Sequence, residues 1–225
     1  MRKTLCGALA LSLILVSGYC FTVPASNVQL VAEPSVDAIV RQSWDQADVR
    51  GLVLLLPSFL TDRFDGLPAT ISQIRRAYPW NATIRVAVGA PDIAIRQNTM
   101  TAVVFLKWNR AFSVTEVDSA WAVLDVNGFP TSASSFLGAC LMYGDLCRDL
   151  LTHRSVLNIA RIAMVADTGM VVELKDGKTL IFGDASESSS KIRRALAVVD
   201  MAAFKTRAVT VDLRFAGQAV IPETP

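Results

Sequence analysis

Apolar and polar positions along the chain change period twice, and the changes divide it into three stretches. From Thr4 to about Ala25 the residues are uncharged and nearly all apolar or small. From Asn27 to Arg96 short elements alternate: "NVQLVAE" reads as a strand, "SVDAIVRQSWDQA" as a helix with Ser35 as its N-cap, and "SFLTDRFDGL" as a second helix. "ATISQIRRAY" and "ATIRVAVGA" then alternate in strand fashion around the turn signal Pro79-Trp80-Asn81. The predicted order is βααββ, with two helices covering one face of a small sheet.

Beyond residue 97 the runs become β-branched and aromatic: "TAVVFLKW", "AWAVLDVNGFP", "IARIAMVADTGMVVEL", "KTLIFG" and "AVTVDLRFAGQAVI", broken by Asn-Gly, Thr-Gly and Asp-Gly turns. This half predicts a mainly antiparallel sheet interrupted by two helices, at about 135–152 and 187–202. In the second of these, Ile192, Ala195, Leu196 and Val199 form one apolar stripe. The fold class expected is therefore α+β: a single N-terminal transmembrane helix, a small βααββ domain, then a mainly antiparallel β domain with two helices. The boundaries are a cytoplasmic N-terminus at 1–4, an anchor at 5–25, a first domain at 26–96 and a second at 97–225.

The first stretch has the length of a membrane span, since roughly 20 residues at 1.5 Å each cross a hydrocarbon core of about 30 Å. Arg2 and Lys3 before it should stay in the cytoplasm and send the rest of the chain outward. A cleaved secretory signal is the alternative, because Val23-Pro24-Ala25 has the form of a small-x-small cleavage site. Both readings place the bulk of the protein outside the cytoplasm.

Composition adds exclusions. With 52% apolar residues and 19% charged ones the chain is too apolar to be disordered. Its net charge of +2 is spread out, with no basic run interleaved with aromatics, so nucleic acid is not an expected partner. Cys140 and Cys147 lie seven apart in a predicted helix, about 10 Å, which is too far for a disulfide, and read as buried small hydrophobes. No C-x-x-C spacing points to metal or redox work.

Candidate chemistry is thin. Gly177-Lys178-Thr179 ends like a phosphate-binding loop, but the glycine required five residues earlier is Val172, and "KTLIFG" reads as a strand where a helix should start. Asp176-Gly177 is therefore expected to be a hairpin turn. His153 is the only histidine, which rules out a His-rich metal site. Ser188 to Lys191 has the Ser-x-x-Lys spacing of penicillin-binding enzymes without their Lys-Thr-Gly element, and reads as a helix start. Asp62 and Asp65 read as a solvated face, and Asn81-Ala82-Thr83 is a glycosylation sequon in form only. No catalytic residue, cofactor or metal is expected.

Four features in order give a resemblance that runs nearly the full length. They are the short basic N-terminus with one apolar span; "LPATISQIRRAYPWNATIRVAVGAPDIAIR"; the hairpin "VVELKDGKTLIFG"; and the strand "VTVDLRFAGQAVI". Together they resemble the bacterial cell-division family FtsQ/DivIB, in which a POTRA module is followed by a C-terminal β domain. The chain departs from the family in lacking Gly-Asn after its first strand, in having Gly89-Ala90 before Pro91, and in having Phe215 where Tyr is usual.

The resemblance implies a non-enzymatic scaffold at the cytoplasmic membrane and division septum. It would bind FtsB-like and FtsL-like partners through the edge of its β domain and other division proteins through its first domain. An exported periplasmic binding protein or enzyme with a cleaved signal is the alternative. Matched position by position, Phe215 takes the aromatic position linked to partner binding, Ala216 and Gly217 the small residues beside it, and Arg214 and Asp212 an ion pair. Val211, Leu213 and Phe215 should share one face of the strand, with Asp212 and Arg214 on the other. Arg194, with Lys191 and Arg193, would flank that edge and face an acidic partner.

Overall fold

The computed structural model describes residues 22–47, 52–64, 67–77, 80–201, 204, 210–215 and 218. The expected membrane-spanning helix over 5–25 falls largely outside them. Its last residues do not: Thr22–Pro24 form strand β1, paired antiparallel with β3 at Leu52–Leu54, and Val23 is fully buried. Among the described residues no helix is long and apolar enough to cross a membrane. The chain divides into two compact units, up to Gly89 and from Ala90 onward.

In the first unit the order is β1, β2 (Val28–Val31), α1 (Pro34–Gln46), β3, α2 (Pro57–Thr61), β4 (Ala69–Ala77) and β5 (Asn81–Val88), which replaces the expected βααββ. Two strands were missed: β1, which fell within the expected anchor, and "LVL" at Leu52–Leu54, an unbroken apolar run with no period of two to betray it. A three-stranded sheet runs β2-β5-β4, with β2 and β5 parallel and β4 and β5 antiparallel. Helix α1 buries Val36, Ile39, Val40 and Ser43, the spacing that keeps one helical face inward. It starts two residues earlier than Ser35 as N-cap predicts, because Pro34 at the first helical position leaves Glu33 as N-cap.

The second unit is a mixed sheet system, with most strand pairs antiparallel and two parallel, and among the described residues it has α-helices at three places, where a mainly antiparallel domain with two helices was expected. Strands β6 (Ile93–Gln97), β7 (Met100–Phe105), β8 (Arg110–Val114) and β9 (Val123–Asp125) are ordered β8-β7-β6-β9, with β6 and β9 parallel. Strands β10 (Ile159–Val165), β11 (Gly169–Leu174), β12 (Thr179–Gly183) and β13 (Thr210–Asp212) follow in that order. Asn127 bridges to β10, donating to Ile162 O at 3.0 Å and accepting from Met164 N at 2.7 Å, and so joins the two sheets.

Helices α3 (Ala133–Thr152), α4 (Arg154–Leu157) and α5 (Ser188–Asp200) supply Phe136, Cys140, Cys147, Leu157, Ile192 and Ala195 to one continuous core. Buried Gln97 pairs its amide with the backbone of Phe129, at 2.8 Å and 2.6 Å, which satisfies polar groups that would otherwise be orphaned in that core. Asp176-Gly177 forms the expected turn: β11 and β12 are an antiparallel hairpin, and Gly177 has φ of +82°. Cys140 and Cys147 are buried free thiols, as their spacing required. Burial pushes Cys140 up to about 12 and Cys147 upward as well.

Candidate partner-binding edge

Strand β13 ends the sheet order β10-β11-β12-β13, so no described strand pairs with its outer side. It runs parallel to β12, with Thr179 opposite Thr210, Leu180 opposite Val211 and Ile181 opposite Asp212. The turn-rich sequence suggested an antiparallel partner. Parallel pairing results because α5 lies between β12 and β13, and parallel neighbours need such a crossover.

Val211 and Leu213 are fully buried, and Leu213 N donates to Ile181 O at 2.8 Å. Full burial of two such side chains contributes about 3–6 kcal/mol, enough to seat this short strand. Phe215, expected on the same face, is 53% exposed. Regular strand ends at Asp212 and the chain bends at Phe215, so the alternation that fixes Leu213 no longer applies two residues later.

Asp212 and Arg214 form the ion pair that the resemblance implied. Asp212 is 7% exposed and accepts from Arg214 N at 2.9 Å, Nε at 3.0 Å and Nη2 at 2.6 Å. These bonds from Arg214, more than any other influence, hold the Asp212 carboxyl below its usual range. The stem of Arg214 crosses Gly183, where φ is +71° and a Cβ would stand 2.6 Å from Arg214 Cγ. Only glycine meets both demands. Below the Arg214 head lies a polar cavity of about 320 Å³ lined in part by Tyr143, Asp167, Asp184 and Ser186.

The basic face of α5 is used differently from the expectation. Lys191 is 2% exposed and its Nζ donates to Asp184 Oδ1 at 2.6 Å and to Asp184 O at 2.9 Å, so it is not offered to a partner. Arg194 turns its guanidinium onto the chain that follows β13: Nη1 donates to the backbone oxygens of Phe215 and, at 2.6 Å, of Gln218. Its Nε and Nη2 are buried with no acceptor among the described residues. Arg194 therefore clamps the segment that carries Phe215. Arg193 remains exposed. Ala216 and Gly217 lie outside the described residues.

Nothing in composition or periodicity announces a side chain that caps backbone carbonyls twenty positions away, so the clamp was not legible in advance. Among the described residues no group of three or more His, Cys, Asp or Glu side chains is placed to hold a metal ion. What this arrangement can do is present backbone N–H and C=O groups of an edge strand beside a half-exposed aromatic ring.

Compared with known proteins, the chain matches no family model and no curated protein sequence.

Proposed function

We propose that this is a non-enzymatic scaffold protein of the FtsQ/DivIB kind, which binds FtsB-like and FtsL-like division proteins and helps assemble the septal peptidoglycan machinery. The observation that carries the reading is the β13 edge, with Phe215 exposed beside it on a segment clamped by Arg194. A partner segment adding a strand to β13 would gain main-chain bonds, and Phe215 would give it an aromatic anchor of the type that dominates interface energetics. Arg194 favours binding by holding that segment in place beforehand, which lowers the ordering cost of association.

The location we infer, outside the cytoplasm at the cytoplasmic membrane and the septum, rests on the sequence of the first 21 residues, because Thr22–Pro24, expected near the end of the anchor, form strand β1. Pairing of Thr22–Pro24 with β3 argues against the exported alternative in the form given above, since cleavage after Ala25 would remove a strand from the first unit. The test is binding of the full chain to the extracytoplasmic segments of the same organism's FtsB-like and FtsL-like proteins. Phe215→Ala should weaken it about fivefold while leaving the circular dichroism unchanged. A folded chain that binds neither segment, or binds equally well without the ring, would remove the scaffold reading.

A further inference from the structure

The acidic residues of the first unit are confined to its first part, whereas its arginines are found throughout. Within residues 22–89 the carboxylates are Glu33, Asp37, Asp45, Asp48, Asp62 and Asp65, all before Gly66, whereas Arg75, Arg76 and Arg85 follow it. Strands β2, β4 and β5 contain no acidic residue at all. Their sheet buries Leu30, Ile84 and Val86 on one face. On the opposite face the register sets Gln73 across from Arg85 and Arg75 across from Thr83, so the two arginines are diagonal neighbours, a spacing of roughly 7–8 Å.

Arg75 and Arg85 are exposed, and among the described residues neither has a carboxylate in ion-pair range. By contrast Arg41, Arg96, Arg148, Arg161 and Arg214 each have one. Between the two lies a cleft of about 70 Å³ lined by Val31, Gln73, Arg75, Thr83 and Arg85. Two like charges at a diagonal with no counter-charge repel one another, and a bound anion turns that repulsion into two attractions.

We propose that this cleft docks an acidic segment of a protein partner, with one Glu or Asp side chain seated between Arg75 and Arg85. The size of the cleft selects the occupant, because it admits a single carboxylate with Gln73 and Thr83 as further polar contacts. A bilayer surface is broad and flat and cannot enter it. The site belongs to the first unit and is independent of the β13 edge.

The test uses the full chain and a fluorescein-labelled hexapeptide alternating Glu with Ser, read by anisotropy, with the Gln-for-Glu hexapeptide as control. Saturable binding of the Glu peptide alone is expected, weakened about tenfold in Arg75→Gln/Arg85→Gln and by raising salt, and unchanged in Phe215→Ala. Urea melting of the double variant checks that the unit still folds. The proposal is overturned if the Glu peptide fails to bind, if the Gln peptide binds equally, or if the double substitution has no effect. It is also overturned if vesicles of phosphatidylglycerol, and not the peptide, are the probe that depends on the two arginines.

Discussion

Lys191 and Asp184 form an ion pair whose two halves sit in different surroundings, and this makes the outcome of removing each one different. The lysine side chain is 3% exposed and the aspartate 71%. Replacing Lys191 with Met removes a buried ammonium, leaves a chain of similar length in the core, and returns Asp184 to water, which solvates it fully. The net change in stability should lie within about 1 kcal/mol of zero, since a buried charge is costly to desolvate and its attraction only offsets that cost. Replacing Asp184 with Ala instead leaves the ammonium buried, with only the Asp184 backbone carbonyl as acceptor. That should cost about 3 kcal/mol, the lower end of the range for breaking a buried pair, because water can reach the vacated side.

The pH dependence has a definite sign. Bonds from Lys191 first, then Ser186, lower the Asp184 carboxyl to about 2. Its contribution is therefore fully present above the unfolded value of about 4 and is lost as pH falls through about 2. Urea unfolding followed by the fluorescence of Trp108 and Trp121, at pH 7 and at pH 3, should show a gap between wild type and Asp184→Ala that narrows at the lower pH. If Lys191→Met costs as much as Asp184→Ala at pH 7, the asymmetry argument fails, and the pair is holding α5 in place by attraction alone.

Arg194→Gln should speed amide hydrogen exchange in the segment around Phe215 and Gln218 while lowering overall stability by about 1.5–3 kcal/mol, the value of one charge-assisted hydrogen bond. Unchanged exchange there would show that the clamp does not order the segment. Gly169→Ala should cost about 3 kcal/mol or more, because φ is +84° and a Cβ would run into the Gly183 backbone; Gly177→Ala at φ +82° has open space and should cost about 1 kcal/mol. Equal losses in urea melts would contradict this reading of the two turns. Cys140 and Cys147 should resist iodoacetamide at pH 8 in the native chain and react only on unfolding, since burial disfavours both thiolates.

Where side-chain period decides structure, the sequence was informative. The stripe of Ile192, Ala195, Leu196 and Val199 lies within the helix Ser188–Asp200, and the Asp176-Gly177 turn joins the two strands it was expected to join. Where topology decides, it was not. Leu52–Leu54 shows no alternation, the parallel seating of β13 depends on where a crossover helix returns the chain, and the described residues of the second unit hold the additional helix Arg154–Leu157. The candidate edge divides the same way. Val211 and Leu213 could be placed by alternation, and Asp212 with Arg214 by their resemblance to a known motif, yet Phe215 leaves the pattern because the strand stops before it.

That departure links fold to the proposed function. A ring continuing the alternation would be one more core residue; a ring displaced by a bend, on a segment whose carbonyls Arg194 holds, is left half in water at the end of an edge strand. Displacing water from that remaining half is worth about 1 kcal/mol, which is too little for tight binding alone, so a partner must also gain main-chain bonds from β13. A partner peptide N-methylated at alternate residues should therefore lose more affinity than one lacking the side chain that covers Phe215. An N-methylated peptide that binds as well as the unmethylated one would locate the affinity in the aromatic contact and leave the strand edge without a role.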